Sequence, residues 1–116
     1  MKKLTLLLFL FSISLYSCKD KEKDNPTPDS VCETSNVTYS NTVKPIIANN
    51  CVVCHSAAPM NLGDVATLQG VANSGKLYKV ITHADGVPAM PKNMPKLSDC
   101  DIAKIKAWVD AGAQNN

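Results

Sequence analysis

The five residues Cys51-Val52-Val53-Cys54-His55 constrain this chain more than any other stretch. Two thiols three positions apart, followed at once by an imidazole, form a pattern that suits covalent haem attachment. Each cysteine can form a thioether with a vinyl group of the porphyrin, and the histidine can bind the iron. The pattern therefore predicts one haem c, attached through Cys51 and Cys54, with His55 as an iron ligand.

A Cys-x-x-Cys pair has two other common uses, as half of a zinc site or as a redox-active dithiol. A zinc site usually has four ligands with a second clustered pair, and no second Cys-x-x-Cys or His-x-x-x-His follows in this sequence. A thioredoxin-like dithiol opens a helix inside a βαβ pattern, which this chain lacks. Haem attachment is the favoured interpretation, and a redox dithiol is the alternative.

Residues 1–17 have the features of an export signal. Lys2 and Lys3 supply a positive start, and residues 4–15 form an apolar run that is too short to span a bilayer. The run ends in Leu-Tyr-Ser before Cys18, which resembles the lipobox of bacterial lipoproteins. We expect lipid on Cys18, which would anchor the chain to a membrane of the bacterial cell envelope, facing the periplasm. Ordinary signal-peptidase cleavage nearby is the alternative.

The charge of the chain argues against nucleic acid as a partner. The full sequence has 12 basic and 10 acidic side chains, a net charge of +2. Removal of residues 1–17 takes away Lys2 and Lys3 and leaves no net charge, whereas binding to nucleic acid calls for a basic face. Residues 18–31 carry alternating charges and two prolines, and they predict a solvated tether. Residues 32–116 are the predicted folded domain.

The chain has five cysteines, an odd number for an exported protein, in which a leftover thiol is a liability. Lipid on Cys18 and haem on Cys51 and Cys54 would leave two cysteines. We therefore predict a disulfide bond between Cys32 and Cys100. Two unpaired thiols are the alternative.

Apolar side chains recur at helical spacing in four short segments. We expect the first helix to begin near Asn41 or Thr42 with Ser40 or Asn41 as its cap, because Pro45 is tolerated only close to a helix start. The other helices are predicted at residues 65–71, with Asp64 as cap, at residues 76–82, and from residue 99 onward.

The last helix has the clearest boundaries in the sequence. Ser98 and Asp101 form a variant of the capping box, and Leu97 is expected to pack on Ile102 at the start of the helix. Gly112 is the predicted stop. Before this helix, a glycine and three prolines within residues 85–97 exclude a regular helix or a central strand.

Three features together resemble a small single-haem class I cytochrome c domain. They are the Cys51–His55 pentapeptide after a short helix, a Met-Pro in a proline-rich loop about 35 residues later, and a closing helix with Trp108 before Gly112-Ala113. The likeness extends over about residues 38–114. It implies an all-α fold of four to five short helices around one haem. It also implies a monomer that transfers single electrons between redox partner proteins and is not an enzyme.

The resemblance also bears on the second iron ligand, which a methionine after the pentapeptide would supply. Met60 is only five residues past His55 and is tethered on the same side of the haem. Met90 and Met94 each precede a proline, which pre-organises a loop. In the family pattern the spacing to the last helix favours Met90, with Met94 as the alternative.

Two further possibilities remain for the iron. His83 could take the place of the methionine and give bis-histidine ligation. If neither loop methionine bound, the open position would suit a haem peroxidase or a gas sensor. Lysines at positions 76, 79, 92 and 96 could form a docking patch for an acidic redox partner, although ordinary solvated lysines explain them as well.

Overall fold

The computed structural model describes residues 31–116 of the chain. Within these residues the regular secondary structure is entirely helical, which confirms the all-α prediction. A π-helical turn at Tyr39–Val43 runs directly into the first of four α-helices. These are α1 (Lys44–Asn50), α2 (Val65–Asn73), α3 (Lys76–Ile81) and α4 (Asp99–Asp110).

The export signal predicted at residues 1–17, the lipid site predicted at Cys18 and nearly all of the tether predicted at residues 18–31 lie outside the described residues. These three assignments stay predictions from the sequence. Between residues 31 and 116, no helix has both the length and the apolar character needed to cross a bilayer.

The first helical segment begins earlier than the sequence predicted. The hydroxyl of Thr38, rather than a side chain of Ser40 or Asn41, is the cap: it accepts a hydrogen bond from the backbone N–H of Asn41 at 3.3 Å, and the helical turn begins at Tyr39. The prediction failed because the turn is π-helical, with backbone bonds that span five residues. This wider turn lets the chain pass Pro45, which has no N–H to donate, and continue into α1.

Helices α2 and α3 follow their sequence signals. The Asp64 carboxylate accepts a hydrogen bond from the backbone N–H of Thr67 at 2.8 Å, as expected for the cap of α2. The helix extends to Asn73, two residues beyond the predicted end. Gly75, at φ +74°, separates it from α3, and glycine adopts this left-handed conformation without steric cost.

Helix α4 is closed at both ends as the sequence indicated. The Ser98 hydroxyl accepts a hydrogen bond from the backbone N–H of Asp101 at 3.0 Å. At the other end Gly112 has φ +92°, and the backbone N–H of Ala113 donates to the carbonyl oxygen of Trp108 at 2.9 Å. This arrangement is a Schellman motif, in which a left-handed glycine ends the helix and satisfies its last carbonyl groups.

The core joins the beginning of the described unit to its end. Trp108 on α4 is 1% exposed, and its ring centroid lies 6.0 Å from that of Tyr39 in the π-helical turn. The indole Nε1–H donates to the carbonyl oxygen of Gln114 at 2.8 Å, so its polar edge is satisfied within the core. The other large and fully buried side chains are Val43, Ile47, Leu68, Leu77, Ile81 and Ile105.

The predicted disulfide bond between Cys32 and Cys100 is confirmed. The two Cα atoms lie 5.5 Å apart, within the usual range for a disulfide. Cys100 lies in the first turn of α4, so the bond fastens the segment ahead of the π-helical turn to the last helix.

Candidate haem site

A cavity of about 570 Å³ lies between the Cys51–His55 segment, α3 and the proline-rich loop. This volume falls within the range of about 300–1,000 Å³ that is usual for small-molecule and cofactor sites. Its walls are mainly apolar, so a bound group would lie in surroundings of low polarity there. The apolar side chains that line it include Leu62, Val71, Leu77, Val80, Ile81 and Leu97.

The Cys51–His55 segment follows α1 as a tight turn. The backbone N–H of Cys51 donates to the carbonyl oxygen of Ile47 at 2.8 Å, which completes the last turn of the helix. The backbone N–H groups of Cys54 and His55 both donate to the carbonyl oxygen of Cys51, at 3.2 and 2.9 Å. Both thiols and the imidazole line the cavity. The turn thus brings together the three residues that the sequence singled out.

The two thiols of the segment are not bonded to each other. Cys54 is exposed, whereas Cys51 is half-buried, and its burial raises the pKa of the Cys51 thiol to about 11. A redox-active dithiol works through a thiol of lowered pKa, so Cys51 has the opposite character. Within residues 31–116 there is also no cluster of three or more His, Cys, Asp or Glu side chains that could hold a metal ion. Neither alternative use of the Cys-x-x-Cys pair gains support.

The loop after His55 returns to the same part of the cavity. The backbone N–H of Leu62 donates to the carbonyl oxygen of His55 at 2.8 Å. Met60, inside this closed loop, is half-buried and lines the cavity. The sequence argument that Met60 stays near His55 agrees with this short loop.

The two loop methionines both line the cavity but differ in their surroundings. Met90 is half-buried and packs against the hydrophobic core, and its backbone N–H donates to the carbonyl oxygen of Val80 at 2.9 Å. Met94 is 63% exposed and sits in a turn closed by its backbone N–H on the carbonyl oxygen of Pro91 at 3.3 Å. Met90 is therefore anchored to α3, and Met94 is mostly in contact with solvent.

His83 takes a different position from the other metal-capable side chains. Its Nε2 atom lies 3.1 Å from the carbonyl oxygen of Met90. The residue does not line the cavity. A ring that contacts the Met90 backbone and does not line the cavity is poorly placed to be an iron ligand, which favours a methionine for that role.

Several cavity residues were not singled out by the sequence. Val71 comes from α2, and Val53, between the two cysteines, is 80% exposed at the cavity edge. Of the lysines that the sequence did single out, as a docking patch, Lys76 and Lys92 line the cavity, whereas the ammonium group of Lys96 pairs with an aspartate on α4 at 2.8 Å. Helical periodicity predicted a helix at residues 76–82, but it did not indicate that Leu77, Val80 and Ile81 would form a cavity wall.

The donor set and the cavity together fit a covalently held haem. Two thiols without a disulfide partner and an imidazole stand on one segment, methionine sulfurs stand on another, and apolar side chains line the space between them. Soft sulfur and imidazole ligands in an apolar setting suit haem iron. The fold and the site define a haem-binding c-type cytochrome domain.

The chain belongs to the family described as cytochrome c oxidase, cbb3-type, subunit III. The family model matches residues 41–109, which is more than half of the chain. The matched region includes both cysteines, His55 and both loop methionines. No curated protein and no solved structure matches the chain. Membership confirms the cytochrome c resemblance and identifies the domain as an electron-transfer cytochrome with covalently bound haem c, which acts with redox partner proteins.

Proposed function

We propose that this chain is a monohaem c-type cytochrome that transfers single electrons between redox partners in a bacterial cell envelope, with His55 and Met90 as the iron ligands. The observation that carries the proposal is the shared cavity: Cys51, Cys54, His55 and Met90 all line the same space. A bound haem supplies a one-electron couple at its iron.

The segment from Cys51 to His55 holds the cofactor in place. Helix α1 ends in a turn whose backbone bonds fix the thiols and the imidazole relative to one another. Two thioether bonds from this turn would prevent dissociation, while His55 would bind the iron as a neutral imidazole. The residues of this turn therefore attach and orient the cofactor.

Met90 is favoured over Met94 by its burial and its anchoring. A ligand on a loop already bonded to α3 loses less conformational entropy on binding than one on a free loop. Met94, at 63% exposure, would have to leave solvent and be ordered at the same time. The mainly apolar walls would lower the polarity around the iron, and a thioether ligand raises the reduction potential.

Two protein ligands would leave no open coordination position, which is why we propose an electron carrier rather than an enzyme. An imidazole and a methionine in one cavity suit an iron whose coordination changes little when it gains or loses an electron. A haem peroxidase or a gas sensor would need one iron position free or weakly held.

The proposed location outside the cytoplasm is supported by the disulfide bond. Cys32 and Cys100 are bonded, and such bonds persist in oxidising compartments such as the periplasm. Lipid on Cys18, a tether to residue 31 and a monomeric domain from residue 32 complete the proposal. The net charge of the exported chain gives no reason to expect a nucleic-acid partner.

The family description supports a second candidate role, as the haem-carrying part of an oxidase. In that case the partner that accepts its electrons would be an oxygen-reducing subunit. Mild detergent extraction of native membranes followed by native electrophoresis separates the two roles. Co-migration of the chain with oxygen consumption supports the oxidase role, and migration as a small single protein supports the free carrier.

The test of the main proposal is the spectrum of the full chain matured with the c-type haem assembly machinery. We expect the haem to stay attached to the polypeptide after the protein is denatured. We also expect a weak sulfur-to-iron charge-transfer band at the red end of the oxidised spectrum. Met90→Ala should abolish this band, and Met94→Ala should keep it. Met94 is the matched control because it also precedes a proline and lines the same cavity.

Three results would overturn parts of the proposal. Loss of the band in Met94→Ala alone would transfer the ligand role to Met94. High-spin iron that readily binds carbon monoxide in the unaltered protein would point to the peroxidase or sensor. Absence of covalent haem would refute the cytochrome assignment for this chain.

A further inference from the structure

The peptide group of Met90 is held on both of its polar sides. Its backbone N–H donates to the carbonyl oxygen of Val80 at 2.9 Å, and its own carbonyl oxygen lies 3.1 Å from Nε2 of His83. A carbonyl oxygen can only accept, so Nε2 carries the hydrogen and the imidazole is the donor. Both partners belong to α3 or its end. The helix thereby fixes the backbone of the methionine that we propose as an iron ligand.

His83 occupies a position in the chain where glycine is the usual residue. It follows the C-cap of α3 with φ +56°, and the helix ends in a Schellman motif. The backbone N–H of His83 donates to the carbonyl oxygen of Val80 at 3.3 Å, and that of Ala84 donates to the carbonyl oxygen of Lys79 at 3.0 Å. Glycine favours this left-handed position because it has no Cβ. The helix end therefore does not require an imidazole.

The imidazole has a use outside the turn that contains it. It is half-buried, it does not line the cavity, and its Nε2–H donates to the Met90 carbonyl seven residues later. The segment between them contains Gly86 and Pro88 and no helix, so the hydrogen bond links α3 to a loop that lacks regular structure of its own.

We infer that His83 is a positioning residue: it holds the Met90 backbone so that the thioether stays directed to the iron site. The inference rests on the proposed His55/Met90 ligation. The N–H of Met90 is already bonded to α3, so the imidazole removes the remaining freedom of this peptide to rotate about that bond. A ligand held in this way competes better with other ligands, because less ordering is left to complete on binding.

The test uses the haem-loaded full chain and the variant His83→Gly. Glycine suits φ +56° better than histidine, so the variant should keep or raise the thermal unfolding temperature. The variant also removes the donor to Met90, so the Met90 thioether should be held less firmly although the unfolding temperature does not fall. We expect a weaker sulfur-to-iron band and an affinity for added imidazole about two- to tenfold higher, as loss of one hydrogen bond of ordinary strength predicts.

Two further variants serve as controls for the effect. His83→Gln retains an N–H donor on a side chain of similar length and should recover most of the original resistance to imidazole. Asn93→Gly makes the same kind of change at another non-glycine residue with positive φ, +59°, in the same loop. Asn93 has no hydrogen bond to Met90 in this structure, so its variant should match the unaltered protein.

The outcomes separate this inference from the proposed function. If Met90→Ala leaves the band of the unaltered protein in place, the ligand assignment itself is wrong. If Met90→Ala abolishes the band while His83→Gly binds imidazole as the unaltered protein does, the ligand assignment stands and the positioning role of His83 is refuted. An equal rise in imidazole affinity in Asn93→Gly would also refute it, since any loosening of the loop would then suffice.

Discussion

The backbone N–H of Leu62 donates to the carbonyl oxygen of His55 across 2.8 Å, which closes the six residues between them into a short loop. This bond holds Met60 in a short loop that is fastened to His55, and Met60 is half-buried and lines the cavity. Met90 reaches the same cavity from a different segment, anchored on α3. Two methionines of similar burial therefore differ in which part of the chain holds them.

Met60→Leu should leave the iron ligands unchanged. Leucine conserves most of the volume, so the unfolding free energy should fall by less than about 1.5 kcal/mol. We expect the sulfur-to-iron band to stay and the reduction potential to change little. The measurement is the oxidised visible spectrum together with a redox titration. Loss of the band in this variant, with Met90→Ala unaffected, would mean that Met60 is the ligand.

The two cysteines that we propose attach the haem should differ in reactivity before haem is attached. Cys54 is exposed, whereas the pKa of the Cys51 thiol is raised to about 11 by burial. Since the thiolate is the reactive form, only about one Cys51 thiol in a thousand is ionised at pH 8. Iodoacetamide labelling of the haem-free protein, followed by peptide mass spectrometry, should show Cys54 modified first.

The pH dependence of this labelling has a definite sign. Folding favours the neutral Cys51 thiol, so its labelling rate should rise about tenfold per pH unit until the pH approaches 11. The same shift means that the haem-free domain loses stability as the pH rises from about 9 through 11. Haem-loaded protein is the control and should show no labelling at either cysteine. Equal rates at pH 8 in the haem-free protein would contradict the burial of Cys51.

The cap of α2 should contribute stability that acid removes. Hydrogen bonds from the backbone N–H and the hydroxyl of Thr67, both at 2.8 Å, hold the pKa of the Asp64 carboxyl below its usual value. A lowered pKa in the folded state gives stability that is present above the unfolded pKa and is lost as the pH falls through the folded pKa.

Asp64→Asn should therefore make the unfolding temperature less sensitive to acid. Asparagine can still cap the helix but does not ionise, so the decrease between about pH 5 and pH 3 should be smaller than in the unaltered protein. Asp85→Asn is a suitable comparison, because Asp85 is also exposed but lies in the loop after α3 and caps no helix. Identical acid profiles for the unaltered protein and Asp64→Asn would refute the assigned role of the carboxylate.

The parts of this molecule that the sequence could predict are those set by local chemistry. Asp64 and Ser98 cap helices because their oxygens reach N–H groups three residues later, and Gly112 stops α4 because it has no Cβ. The cysteine pattern likewise indicated that Cys51, Cys54 and His55 would lie together at one site. The start of the first helix, capped by Thr38, does not follow from the sequence, because a backbone bond that spans five residues leaves no clear residue pattern.

The bond from His83 to Met90 was beyond sequence reasoning for a different reason. It depends on how the end of α3 faces a loop without periodicity, which is fixed only when the helix packs in the core. A histidine at a position where glycine usually ends a helix is a possible signal. The choice of Met90 over Met94 gained its support in the same way, from burial and from anchoring to α3.

The disulfide bond should stabilise the domain without affecting the haem site. Cys32 and Cys100 are separated by 68 residues, and the bond lies outside the cavity lining. In the chain-entropy model, closing a loop of this length contributes about 4 kcal/mol to the unfolding free energy. We expect the double variant Cys32→Ser/Cys100→Ser to unfold at a lower temperature while its visible spectrum and reduction potential stay unchanged. A reducing agent should lower the unfolding temperature of the unaltered protein but not that of the double variant. If the spectrum changed together with stability, α4 would have to influence the haem site through the core. The prediction that the disulfide bond affects stability alone would then be wrong.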